Sequence, residues 1–175
     1  MIILLFGNIG SGKTSLANAL VRKTGYAYYA IDEYRKKYSD GSHQGEEMAR
    51  KYFLETLSKR NNIIIEALGV GSLSDQLYQV LADNWEEKLI VVLDVPEDIC
   101  LRRISTRKWD IPFPESFGSP HKILHSTHRR LIIEKGYTNW LTLKNSNLKI
   151  FKNISETDAN IIINYITRLV NEPRN

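Results

Sequence analysis

Eight consecutive residues carry the most specific chemistry in the chain: Gly7-Asn8-Ile9-Gly10-Ser11-Gly12-Lys13-Thr14. They fill every fixed position of G-x-x-x-x-G-K-[ST], the spacing of a loop whose backbone N–H groups turn inward around phosphate oxygens. Glycines at 7, 10 and 12 permit tight curvature and leave no Cβ between backbone and anion. Lys13 supplies a cation for the β- and γ-phosphates of a nucleotide, and the Thr14 hydroxyl is placed to ligate Mg²⁺. Ser15 follows in the first turn of a helix whose positive end adds to the same anion site.

Other residues have types suited to phosphate chemistry. Asp32 closes an apolar run, which makes it either a general base for an attacking hydroxyl or a helix N-cap. Arg35 reads as an acceptor-binding group or part of a solvated helix face. Glu66, after Ile63-Ile64-Ile65, either orients a metal-bound water or caps a loop. Asp94 also ends an apolar run, but Val95-Pro96-Glu97 behind it argues for a structural turn rather than a metal-binding acid. Arg103 and Arg107 are four apart and face one side of a helix that runs into a proline-rich stretch. Cations there can reach a transferring phosphoryl when the segment closes. His121, His125 and His128 share one helix face, and without further ligands nearby they read as a polar surface. Tyr26, Tyr28 and Tyr29 read as core packing, and Trp109 and Phe113 as rings able to lie against an adenine.

The elements that must hold these groups follow from apolar periodicity. Ile2 to Phe6 is an unbroken apolar run, a buried strand that delivers directly into the glycine loop. Leu16, Ala17, Leu20 and Val21 form a helical stripe that stops at Gly25. Tyr26–Ile31 is expected as a second strand, ending at Asp32 and followed by a polar stretch to Gly45. A helix follows over Glu46–Arg60, then the third strand at Ile63–Ile65. Ser72 with Asp75 resembles a capping box for the next helix. Leu89–Leu93 is the fourth strand, and Pro96 suits the first turn of a helix from Glu97 to about Arg107. Lys108–His121 holds three of the five prolines and reads as irregular. Lys122–Lys135 returns to helix, stopped by Gly136. Leu148–Phe151 is a fifth strand, and Ser155 with Asp158 is a second capping box, opening the last helix. Strands alternating with helices predict an α/β fold with a parallel sheet covered on both faces, its ligands at the carboxyl ends of the strands.

At 175 residues the chain is expected to form one domain, 1–175, with charged residues at an ordinary 25%. The net charge of +4 suits an anionic substrate without demanding a nucleic acid. The single cysteine, Cys100, excludes an internal disulfide and fits a reducing, cytoplasmic setting. The apolar N-terminus is too short for a signal peptide or membrane span. Nothing in the pattern fixes an oligomeric state.

On these residues the chain resembles the P-loop kinases that include adenylate, shikimate and gluconate kinases and the kinase domains of polynucleotide kinases. The carriers are Gly7 to Thr14, the acidic end of strand two, and Leu93-Asp94-Val95-Pro96-Glu97 with Arg103-Ile104-Ser105-Thr106-Arg107. The resemblance implies a three-layer fold with five parallel strands in the order 2-3-1-4-5 and a short lid over about 104–125. It places Arg103 near the adenine and Arg107 near the phosphates. Asp32-Glu33-Tyr34-Arg35 is similar to the D-D-Y-R of a phage polynucleotide 5′-kinase, which implies that Asp32 is the base and that Arg35 lies on the acceptor side. Ile65-Glu66-Ala67 is closer to the I-E-G-T of zeta-type toxins and their small-molecule kinase relatives, so Glu66 joins Arg35 among the acceptor-side candidates. The G-F-P-R of adenylate kinases and the triple glycine of shikimate kinases are missing, which leaves the acceptor open among a nucleic-acid 5′-hydroxyl, a nucleoside or nucleotide, and a small metabolite.

Two functions fit this pattern. In the first, ATP with Mg²⁺ is the donor and Lys13, Asp32 and Arg107 move its γ-phosphoryl to a hydroxyl. In the second, the chain is a nucleotide-dependent ATPase or switch with no acceptor. The chain has no N-K-x-D for guanine and no L-S-G-G-Q, and Val95 rather than a second acid follows Asp94. These departures favour the phosphotransferase.

Overall fold

The alternation of apolar side chains along β1 (Ile2–Gly7) organises the molecule. In the computed structural model, which describes residues 1–108 and 110–172, every side chain of that strand is buried. Successive residues of a strand point to opposite faces. Ile3 and Leu5 pack on one side with Leu16 and Leu20 of α1 (Lys13–Thr24) and with Ile162 and Ile166 of the last helix. Ile2, Leu4 and Phe6 pack on the other, with Phe53, Leu57, Leu77, Leu81 and Trp140.

Between these layers lies a five-stranded parallel sheet in the order β2-β3-β1-β4-β5, formed by β1, β2 (Ala27–Ala30), β3 (Ile63–Ala67), β4 (Lys88–Asp94) and β5 (Ser146–Lys152). The order is the one that the resemblance to P-loop kinases implies. The register sets Leu5 beside Glu66, Gly7 beside Leu93 and Ala30 beside Glu66, so the chemical residues cluster at the carboxyl ends. The helices are α1, α2 (Ile31–Tyr38), α3 (His43–Leu57), α4 (Ser72–Ala82), α5 (Glu97–Ser105), α6 (Pro120–His128) and α7 (Glu156–Asn171).

Several expectations are corrected. The second strand ends at Ala30, and the stretch read as polar loop contains α2 and the start of α3. Asp32 is therefore the second residue of a helix whose N-cap is Ala30, which removes its N-cap role. The Ser72–Asp75 box does not form, because α4 starts one residue early from Gly71, whose φ of 93° only glycine adopts readily. Pro96 is an N-cap rather than a first-turn residue. The helix expected over Lys122–Lys135 is α6 followed by a wider π turn at Arg129–Ile133, and Gly136 opens a 3₁₀ turn. The Ser155–Asp158 capping box and the Gly25 cap are both present. Among the described residues no helix is long and apolar enough to cross a membrane.

Candidate active site

The glycine loop joins β1 to α1, and its shape follows from two left-handed glycines. Gly10 has φ 80° and Gly12 has φ 91°. A Cβ on Gly10 would lie 2.7 Å from the Cys100 carbonyl of α5, and one on Gly12 would lie 2.6 Å from Nδ2 of Asn153. Both contacts are closer than real Cβ atoms make, so space and φ together select glycine. Gly7 keeps an ordinary φ, and there the constraint is the Ser11 hydroxyl, 2.5 Å from a Cβ.

The first helical bond of α1 is Leu16 N–H to the Gly12 carbonyl, 3.0 Å. The N–H groups of Lys13, Thr14 and Ser15 precede it, and the Gly12 cap brings no side chain to them. They form a donor set at the positive end of a 12-residue helix, which suits a phosphate. Ser11 Oγ, also in the loop, is buried and without a hydrogen-bond partner. Asn8 fastens the loop through its side chain, donating from Nδ2 to the Leu124 carbonyl and accepting from Ile9 N–H on Oδ1. Ile9, Gly10, Gly12, Lys13, Thr14 and Ser15 all line one cleft of about 650 Å³.

Lys13 is buried and donates to the carbonyls of Gly7 (3.0 Å) and Asn8 (2.8 Å). Burial pulls its pKa below the usual lysine value, and the charges of Glu66 and Asp32 oppose that pull. Glu66, on β3, faces the same point: its Oε1 is 3.9 Å from Lys13 Nζ. The Thr14 hydroxyl donates to Glu66 at 2.9 and 3.2 Å, which leaves its oxygen lone pairs open to a cation. A hydroxyl beside a carboxylate is an all-oxygen donor set, the kind Mg²⁺ prefers with phosphate and water completing its shell. The residues present therefore fit Mg²⁺ with a nucleotide. Glu66 thus lies beside Thr14 and Lys13 of the glycine loop.

Across the cleft stand Asp32 and Arg35. Asp32 Oδ1 accepts from Arg35 Nη1 at 2.9 Å. Arg35 is buried, and its Nε and Nη2 both donate to Glu46 at 2.8 Å. Phe113 and Phe117 lie 4.9 and 5.8 Å from its guanidinium. Arg35 is thus no solvated surface residue, and its Nε, Nη1 and Nη2 each donate to a carboxylate. Burial would lower the Arg35 pKa, but Glu46 and Asp32 raise it above the usual value. Burial would likewise raise the Glu46 pKa, but Arg35 and Arg50 outweigh it and hold the carboxyl below the usual range.

Arg103 donates to three carbonyls, those of Gly10 (3.2 Å), Asn153 (3.2 Å) and Ile154 (2.9 Å). It ties α5, the loop and the chain after β5 together. Arg107 lies two residues past the end of α5, so the two arginines do not share a helix face as expected. Both nonetheless line the cleft. Among the described residues no group of three acidic, histidine or cysteine side chains could hold a metal, and His125 instead meets Glu97 at 2.7 Å. Trp109 falls outside the described residues.

Three contributors, Tyr28, Asn153 and Arg50, were not legible as site residues from sequence, and Arg130, expected near an acidic ligand, joins Arg50 in the cleft. Tyr28 donates its hydroxyl to Glu66 Oε2. Asn153 donates to the Ser11 carbonyl at 2.7 Å. Arg50 and Arg130 line the far wall of the cleft, and the π turn at Arg129–Ile133 carries Arg130 there. Only the alternation along β2, which sends Tyr28 and Ala30 to the same face, offered a signal for Tyr28.

A family model described as an AAA domain matches residues 3–112. No curated protein matches the chain in sequence. Among solved structures, a shikimate kinase from Bacteroides thetaiotaomicron superimposes with a TM-score of 0.61 at 16% identity, covering 98% of this chain and 99% of that one. A gluconokinase from Sinorhizobium meliloti gives 0.58 at 16% identity, covering 96% and 94%. A deoxyadenosine kinase from M. mycoides, solved with bound dCTP, gives 0.61 at 18% identity, covering 95% and 98%. The glycine loop, the strand order and the family match agree: the chain belongs to the AAA-domain family of P-loop NTPases and has the fold of the P-loop kinases.

Proposed function

We propose that the chain is a phosphotransferase that moves the γ-phosphoryl of ATP to a hydroxyl of an acceptor. The carrying observation is that Lys13 and Thr14 of the glycine loop share one cleft with Asp32. The kinase folds among the structural neighbours support the same reading. In it the whole chain works as one unit, with the segment over about 104–125 as its lid.

The acceptor oxygen bonds to the γ-phosphorus while the bond to the β–γ bridging oxygen breaks, and ADP leaves with that oxygen. Asp32 takes the hydroxyl proton through Oδ2, since Oδ1 is engaged by Arg35. Lys13 and the N–H groups of the loop hold the β- and γ-phosphates. Arg107 sets its positive charge against the negative charge that develops on transfer, and Arg103 holds the nucleotide end of the loop in place. Bound Mg²⁺, taken by Thr14 with Glu66 beside it, would supply further neutralisation of the phosphate oxygens. Arg35 sets Asp32 through Nη1 and stands on the acceptor side of the cleft. Arg130, exposed on the cleft wall near Gly71, favours an acceptor with an acidic group.

The reading is tested with γ-radiolabelled ATP offered to 5′-hydroxyl oligonucleotides, nucleosides, and hydroxylated acids and sugars. A labelled acceptor supports it. Release of labelled inorganic phosphate alone, unchanged by any acceptor, would establish an ATPase instead.

A further inference from the structure

We infer that Tyr28 is a positioning residue for metal capture, acting through Glu66. Glu66 Oε2 receives two hydroxyls, from Thr14 on α1 and from Tyr28 on β2. The two donors approach from different elements, so together they fix the carboxylate rather than merely neutralise it. Each has a distinct consequence. The Thr14 bond directs that hydroxyl's hydrogen toward Glu66 and its lone pairs toward the cleft. The Tyr28 bond holds Glu66 in the rotamer that receives Thr14.

Without Tyr28 the carboxylate has a competing partner close by. Lys13 Nζ is already 3.9 Å from Glu66 Oε1, and a swing of Glu66 toward it would form a tighter ion pair. That swing would abandon Thr14, while Lys13 stays bonded to the Gly7 and Asn8 carbonyls. Tyr28 therefore keeps the loop's cation and the carboxylate apart. Its phenol suits this role, because a neutral hydroxyl donates to the carboxylate without bringing a second cation beside Lys13. The ring packs at the edge of the core on the α1 side, which fixes where the hydroxyl points.

The inference rests on the phosphotransfer reading, and the experiment separates the two. Mn²⁺ is titrated into the protein saturated with a non-hydrolysable ATP analogue, and the bound metal is read by electron paramagnetic resonance. Tyr28→Phe keeps the ring and removes only the hydroxyl. Loss of an outer partner of a ligating group typically weakens metal binding about 10–100-fold. That loss is expected here, with metal-free binding of the analogue and the melting temperature nearly unchanged. The same substitution made in a Glu66→Gln background should weaken Mn²⁺ by less than about twofold, because the group it acts through is already altered. Wild type that retains Mn²⁺ with the analogue, beside an equally tight Tyr28→Phe, overturns this inference alone. So does an undiminished Tyr28→Phe effect in the Glu66→Gln background. Wild type that binds no Mn²⁺ with the analogue overturns the phosphotransfer reading as well.

Discussion

Replacing Asp32 by Asn separates catalysis from stability because the structure bounds each effect. The Asp32 side chain is 35% exposed and, among the described residues, makes one ion pair, with Arg35 at 2.9 Å. Asn keeps a hydrogen-bond acceptor there, so the loss is the charge. A pair this exposed is worth at most about 1 kcal/mol, and a first-turn acid adds about 0.3–1 kcal/mol through the helix dipole. The stability cost is therefore up to about 2 kcal/mol. At roughly 2–4 °C per kcal/mol for a chain of this size, the melting temperature falls by at most about 8 °C. Arg35 retains both bonds to Glu46, so α2 stays anchored. Loss of a general base costs about 10²–10⁴-fold in rate, or about 3–5 kcal/mol in the barrier. Stopped assays of kcat on the identified acceptor, beside calorimetric melts, check both numbers. Turnover within about threefold of wild type would refute Asp32 as the base and move the search to Glu66.

The remaining outcomes concern stability and closure. Glu46→Ala leaves Arg35 buried with Asp32 as its remaining carboxylate, so the loss should approach the lower end of the roughly 3–5 kcal/mol typical of a broken buried pair, read by urea melts. Because the Glu46 pKa is lowered on folding, its stabilising contribution is present above the ordinary value of 4.5 and disappears as pH falls through the lower folded value. Urea melts between pH 6 and pH 3 should therefore show an acid loss of stability in wild type that is smaller in Glu46→Gln. Arg107→Ala should reduce turnover well beyond its effect on ATP affinity, measured by steady-state kinetics beside titration calorimetry. Equal losses in both would make Arg107 a ground-state nucleotide ligand.

The glycine loop was readable from sequence because its signature is a contiguous spacing of residue types, with glycine at both left-handed positions, Gly10 and Gly12. The sheet order followed from the resemblance that this loop and Asp94-Val95-Pro96-Glu97 carry. What escaped depends on distant pairing. Tyr28 meets Glu66 only because β2 and β3 lie side by side, 38 residues apart in the chain. Asn153 reaches the loop across 142 residues. The helix α2 was hidden because Asp32-Glu33-Tyr34-Arg35-Lys36-Lys37 looks polar throughout, while Arg35, which a pattern would send to solvent, is buried against Glu46. Ser72 and Asp75 had the letters of a capping box, but the Ser72 hydroxyl instead accepts from Arg50 at 3.0 Å. The same letters at Ser155 and Asp158 succeed, since there the chain enters the helix with an extended residue at the cap.

Lys13→Ala gives the most direct measurement of whether this loop transfers phosphate. The ammonium donates to two carbonyls, those of Gly7 and Asn8, so its removal takes away a cation and two hydrogen bonds rather than an apolar core contact. Radiolabel transfer from ATP to the acceptor is compared for wild type and for Lys13→Ala of equal melting temperature. The expected result is a loss of at least about 100-fold, the scale of removing one preorganised group from a developing charge. A folded Lys13→Ala protein that labels the acceptor at the wild-type rate would contradict it.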